Sequence, residues 1–185
     1  MESLVLDIPF VCKSWYKATL DPLCWEQLIF PEMETWPLFI NPRFSDPFIS
    51  RLMDAFQFSG EFPATEFIKS VVKRSHRSAV KIVLPRCCTE ESLIYVADEC
   101  PGLKILVLPP DLHNENLVFK LPNLVGNWKY LEQLELGSSI NMPEILYQIS
   151  IHCKNFVSLS VKRADIGEED ALAIVSLLPN MSTCF

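Results

Sequence analysis

LKILVL, residues Leu103 to Leu108, is the stretch whose reading decides the fold. Apolar residues stand at its first, fourth and sixth positions. The same arrangement returns in AVKIVL (Ala79 to Leu84), LEQLEL (Leu131 to Leu136) and FVSLSV (Phe156 to Val161), and MSTCF (Met181 to Phe185) begins a fifth copy. The starts at 79, 103, 131, 156 and 181 lie 24, 28, 25 and 25 residues apart. That spacing is the period of units made of one strand and one helix, which cannot bury an apolar face alone and must stack. The expectation is an α/β solenoid that offers a curved binding surface rather than a pocket.

Side chains alternate faces along a strand, so the fourth and sixth positions of each window point into the core and the third and fifth point away. The outward set is Lys81 and Val83, Ile105 and Val107, Gln133 and Glu135, then Ser158 and Ser160. In order, these form a stripe running from mixed apolar through acidic to small and polar. It is the candidate partner-contact surface, with an ordinary solvated face as the plain alternative.

The segments between windows carry helical spacing. Leu93, Ala97 and Cys100 fall at i, i+4 and i+7, as do Leu121, Val125 and Trp128, and Ala171, Val175 and Leu178; Leu146, Ile149 and Cys153 share a face as well. The position three before each window holds His76, Cys100, Trp128, Cys153 and Leu178. Because Trp and Leu take the same place as two cysteines, that place reads as apolar packing, and Cys100 and Cys153 read as core thiols. His76 reads as a half-buried residue at a helix end.

Ahead of the repeats, residues 1–30 are compact and tryptophan-bearing. Residues 31–63 form a connecting segment with Pro31, Pro37, Pro42, Pro47 and Pro63, which break any long helix. Within it, Ser45-Asp46-Pro47 is a helix start, and Ile49, Leu52, Met53 and Phe56 make an apolar stripe at helical spacing. Residues 64–185 hold about four strand–helix repeats and the start of a fifth.

Composition excludes several function classes. The net charge of −7 opposes nucleic-acid binding, and Lys73-Arg74-Ser75-His76-Arg77 reads as a helix C-terminus whose positive charge suits the dipole. No apolar run reaches the roughly 18 residues of a membrane span, and no secretory signal pattern opens the chain, so the reading is nuclear or cytoplasmic. Seven cysteines (Cys12, Cys24, Cys87, Cys88, Cys100, Cys153 and Cys184) form no CxxC pair, which argues against a disulfide framework or a structural zinc site. His76, His113 and His152 have no nucleophile or carboxylate at motif spacing, and five glycines leave little for a phosphate cradle. No catalytic residue, metal or cofactor is expected.

The windows resemble the cysteine-containing class of leucine-rich repeats, most closely in CPGL (Cys100 to Leu103) running into LKILVL. The ninth position, where that class places Asn or Cys to bond the turn, is Cys87 in the first unit and Asp111, Ser139 and Ala164 in later ones. Upstream, Phe10-Val11-Cys12-Lys13-Ser14-Trp15 continues through Ala18, Asp21-Pro22 and Leu23-Cys24-Trp25 to Leu28. This is similar to the C-terminal half of an F-box, VCKxWxxAxxDPxLWxxL, with nine of eighteen positions matched. Val11, Trp15 and Ala18 share a helical face, Asp21-Pro22 ends the helix, and Trp25 is expected to return over it.

An F-box joined to leucine-rich repeats resembles the plant F-box/LRR proteins, substrate receptors of Skp–cullin–F-box ubiquitin ligases. The resemblance implies a non-catalytic adaptor. A Skp-type adaptor, and through it a cullin, would dock at Val11, Cys12, Trp15, Pro22 and Trp25, and an unidentified substrate protein would lie on the repeats. The LPxExLxxIF-type helix that opens an F-box is not in the chain, and the pattern stops within the fifth window, so the sequence reads as the middle of a receptor. The alternative is a repeat-based interaction scaffold outside the ligase, in which residues 1–30 are only an N-terminal cap.

Overall fold

Short alternating windows become short strands, and the structure sets them side by side in chain order. In this computed structural model, which describes residues 1–33, 47–57, 62–110, 115–162, 166–178 and 182–184, six strands form one parallel sheet. They are β1 (Gln27–Ile29), β2 (Lys81–Val83), β3 (Ile105–Val107), β4 (Gln133–Leu136), β5 (Ser158–Val161) and β6 (Ser182–Cys184), ordered β1-β2-β3-β4-β5-β6. The register aligns Leu28, Ile82, Leu106, Leu134 and Leu159 across five strands, and all five are buried. The sixth-position residues Leu84, Leu108, Leu136 and Val161 are buried beside them. The architecture is α/β and compatible with a leucine-rich-repeat fold.

Helices α4 (Ala64–Arg74), α5 (Glu90–Glu99), α6 (Glu115–Val125), α7 (Met142–His152) and α8 (Glu168–Leu177) connect the strands, each packing on the next. Local chemistry sets their ends. Thr89 caps α5 in a reciprocal pair with Ser92, each side chain accepting from the other's backbone N–H. Pro122 lies inside α6 and lacks the N–H that would bond the Val118 carbonyl. Asn141, held in the left-handed region at φ 58° just before α7, donates its side-chain amide to that carbonyl over 3.4 Å.

Gly137, which follows β4, shows where a side chain is forbidden. A Cβ there would stand 2.2 Å from the Pro109 oxygen and 2.7 Å from the Pro110 Cα, both backbone atoms of the turn after β3. Neighbouring turns therefore touch backbone to backbone.

The N-terminal region is integrated with the sheet. Helix α1 (Glu2–Leu6), a 3-10 turn at Ile8–Phe10, α2 (Lys13–Ala18) and a second 3-10 turn at Pro22–Trp25 lead directly into β1. Helix α3 (Pro47–Phe56) is tied to α1 by Arg51, which bonds Glu2 and Asp7 at 2.6 Å each. Phe67 of α4 gathers the rings of Phe30, Phe48 and Phe62 at centroid distances of 6.1, 5.9 and 5.6 Å. These tilted and edge-on contacts join α3 to the sheet margin.

Several expectations need correction. The slot before the first window is filled by Ser75, which is fully buried, while His76 is exposed. Cys100, Trp128 and Cys153 accept through their carbonyls from Leu103, Leu131 and Phe156, the first window residues; Ser75 accepts from Ser78, one residue before Ala79. The first unit thus has one residue more, and the chain absorbs it at His76 and Arg77, with φ 46° and 71°. In α8 the inward residue is Ala173, flanked by half-buried Ile174, Leu177 and Leu178, whereas Ala171 and Val175 are exposed. Helix α5 is packed by α4 on one side and α6 on the other, whereas α8 has its main packing on α7 among the described residues. Phe48 rather than Phe56 completes the buried stripe of α3. Ser45, Asp46, Asp111, His113, Ala164, Met181 and Phe185 lie outside the described residues.

The packing slot itself is as expected for Cys100, Trp128 and Cys153, all buried. The Trp128 indole N–H finds no partner among the described residues, at a cost of about 1–3 kcal/mol. The Cys153 thiol donates to the Trp128 carbonyl at 3.3 Å. At the turn after β2 the buried thiol is Cys88, against the Ser92 hydroxyl at 3.3 Å, with Cys87 half-buried beside it.

Two predictions follow from this packing. Gly137→Ala is expected to lower stability by about 3 kcal/mol, because the clash is with backbone. Gly102→Ala, with open space around its Cβ, should change it by less than about 0.5 kcal/mol in the same denaturant titration. The second concerns the thiols. Burial raises Cys100 to about 12, with Glu99 adding to the shift, and raises Cys87, Cys88 and Cys153 to about 11, against an ordinary 9.0. Between these values the unfolded chain sheds protons that the folded chain keeps, so stability falls as pH rises from about 9 toward 11. Cys100→Ala should flatten that fall in equilibrium unfolding measured across the same range.

Candidate interaction surfaces

Two surfaces emerge from the residues singled out in the sequence. On the sheet, pairing puts Lys81, Ile105, Gln133 and Ser158 in one row and Val83, Val107, Glu135 and Ser160 in the next. All eight are half-buried or exposed while their neighbours along each strand are buried. Strand β1 extends both rows, Gln27 opposite Lys81 and Ile29 opposite Val83. Sequence reading missed these two because Gln27–Ile29 lies outside the periodic windows.

A third row was also missed. Val80, Lys104, Glu132 and Val157, the second positions of the windows, are linked by Lys104 N–H to Val80 O, Glu132 N–H to Lys104 O and Val157 N–H to Glu132 O. Lys104 and Glu132 form an ion pair at 2.9 Å, and Glu135 pairs with Lys162 at 2.6 Å. The pattern that could have signalled the row is the opposite charge at the same window position in successive units. The sheet face thus carries paired charges in its middle, apolar residues toward β2 and β3, and hydroxyls at β5.

The second surface is N-terminal. Phe10, Val11, Trp15, Tyr16, Leu20 and Leu23 are all about half exposed or more, with Leu23 at 69%. They come from the 3-10 turn at Ile8–Phe10 and Val11 just after it, from α2 and Leu20 just beyond it, and from the turn at Pro22–Trp25, with exposed Cys12 and Cys24 next to them in sequence. Exposed apolar side chains gathered in one stretch of chain make this the second candidate contact surface.

Of the five N-terminal residues expected to meet a partner, Val11, Cys12 and Trp15 are exposed and Pro22 is half-buried. Trp25 requires correction. It is fully buried, its indole N–H donates to the Thr19 carbonyl at 2.6 Å, and the Arg74 guanidinium lies 5.0 Å from its ring. It does not shield Trp15, which remains 52% exposed. Trp25 pins the N-terminal turns to α4, helped by the Ser78 hydroxyl donating to the Pro22 carbonyl at 3.3 Å. Its role is packing, because no side of the ring reaches solvent.

Among the described residues, no cluster of three His, Cys, Asp or Glu side chains could hold a metal ion, and no helix is long and apolar enough to cross a membrane.

Comparison with known proteins agrees with the resemblance read from the sequence. The chain is similar to an F-box/LRR-repeat protein of Arabidopsis thaliana, 26% identical over 185 residues that cover 97% of this chain and 55% of the relative. It is also similar to the Arabidopsis F-box protein FBW2, 22% identical over 98% of this chain and 52% of that protein. A further Arabidopsis protein named F-box/LRR-repeat is 34% identical over 103 residues, 52% of this chain and 28% of its own length. The chain spans about half the length of the first two curated relatives. No family model matches it.

The contrast between the two tryptophans is testable. Trp25→Ala is expected to cost about 3–5 kcal/mol in equilibrium unfolding, whereas Trp15→Ala should cost well under about 1 kcal/mol. Equal costs would mean that the N-terminal turns pack differently.

Proposed function

We propose that the chain is the recognition part of a substrate receptor in a Skp–cullin–F-box ubiquitin ligase. The observation that carries this reading is the exposed cluster of Val11, Trp15, Tyr16 and Leu23 on turns that run straight into the sheet. It is supported by relatives named F-box/LRR-repeat or F-box proteins. In this reading residues 1–30 are a partial F-box, 31–63 a connector, and 64–185 a leucine-rich-repeat solenoid. A Skp-type adaptor, which brings a cullin, covers the exposed cluster, and a target protein lies on the sheet face along Lys81, Ile105, Gln133, Glu135 and Ser158. The chain supplies positions rather than chemistry, as a non-catalytic adaptor working in nucleus or cytoplasm.

A second reading is favoured by one observation, the burial of Trp25 and the pairing of β1 with β2. Here the N-terminal turns are a cap that closes the sheet, and the protein is an interaction scaffold outside the ligase.

Capture of a Skp-type adaptor separates the two. The chain, extended by any upstream coding sequence, should retain the adaptor, and Trp15→Asp with Leu23→Asp should weaken capture about 30-fold or more. The unfolding midpoint should stay unchanged. Reversing Lys81 and Glu135 to Glu and Lys should weaken target capture and leave adaptor capture intact. An extended chain that retains no adaptor leaves the scaffold reading standing and sinks the ligase one.

A further inference from the structure

Helices α1, α3 and α4 enclose a cleft of about 530 Å³ that belongs to neither surface described above. Its walls are apolar, with Val5 from α1, Leu52 and Phe56 from α3, and Phe67 and Val71 from α4. The size and character are those of a small-molecule site, in which an apolar wall is joined by a few polar groups that fix orientation.

Three polar residues of α4 line it, Glu66, Ser70 and Arg74. Spaced four residues apart, they lie along one helical face, and the outer two are separated by roughly 12 Å of helix axis. The charges at the two ends differ in their circumstances. Glu66 has a cation beside it, the Lys69 ammonium at 3.6 Å. Arg74 is half-buried, packed over the Trp25 ring at 5.0 Å, and has no carboxylate within ion-pair reach among the described residues. Burial lowers its pKa from the ordinary 12.5, as expected for a guanidinium withdrawn from water without a counter-ion. An arginine so placed is suited to a planar carboxylate, which it can bond through two N–H groups.

We propose that this cleft binds a small amphipathic monocarboxylate, with its apolar body against Val5, Leu52, Phe56 and Val71 and its carboxylate on the Arg74 guanidinium. A second acidic group at the far end would meet Glu66, so monoacids are preferred over diacids. The cleft's lining includes none of the exposed N-terminal cluster, so ligand binding can be measured without an adaptor present.

The test is calorimetric titration of the full chain with naphthalene-2-carboxylate and with its uncharged counterpart, 2-naphthalenemethanol. The carboxylate should bind about tenfold or more tightly than the alcohol. Arg74→Gln should bring it down to the alcohol's level, and Arg74→Lys should keep part of the preference. Ser70→Trp should abolish binding of both probes, because the new ring fills the cleft from an exposed position whose hydroxyl only bonds the Phe67 carbonyl at 2.8 Å. If Arg74→Gln does not fold, Arg74→Lys and Ser70→Trp still decide. Equal affinity for the two probes, failure of the carboxylate to bind, or binding that survives Ser70→Trp overturns the proposal.

Discussion

Everything in this molecule depends on one layer of side chains, Leu28, Ile82, Leu106, Leu134 and Leu159, set in register by parallel backbone hydrogen bonds. Each strand pairs for only three or four residues, so no strand could hold its place by hydrogen bonding alone. The buried layer supplies the missing driving force, and it does so only when every unit has a neighbour. At about 1.5–3 kcal/mol for each fully buried aliphatic side chain, the layer outweighs the exposed ion pairs that also bridge adjacent units. Gly137 marks the geometric limit of the same constraint, since the turns come as close as backbones can.

The N-terminal region obeys that constraint too. Strand β1 extends the ladder by one step, and Trp25 anchors the preceding turns through a hydrogen bond and a stacked guanidinium. What is spent on anchoring cannot also be presented to a partner. The burial of Trp25 therefore divides the F-box-like segment into an inner part that packs and an outer part, around Val11, Trp15 and Leu23, that stays bare. Arg74 stands where these two roles meet, touching Trp25 on one side and opening into the cleft on the other. Ligand in that cleft would bear on the element that holds the N-terminal turns in place, which gives a physical route between the cleft and the outer surface.

The fold was legible in the chain wherever a period repeated. Leu103 to Leu108 and its three companions gave the strands, and the slot shared by Cys100, Trp128 and Cys153 gave the thiols their place, because equivalent positions in stacked units see equivalent surroundings. The same equivalence misled where surroundings differ. Val175 occupies the place of buried Ala97 yet lies exposed, where Ala173 is the residue that α8 turns inward. Counting back from Ala79 points to His76, but one added residue lets Ser75 take the buried place.

The sequence by itself determined which faces are apolar, since alternation along strands and helical spacing between them are local properties of the chain. It thereby determined the parallel α/β plan and the two outward rows from Lys81 to Ser160. Only the tertiary structure decided what covers each face. It buried Trp25, brought Gln27 and Ile29 into the sheet, placed Lys104 against Glu132, and left Arg74 lining an apolar cleft with no carboxylate within ion-pair reach among the described residues. These are contacts between residues far apart in the chain or outside its period, and periodicity carries no information about such pairs.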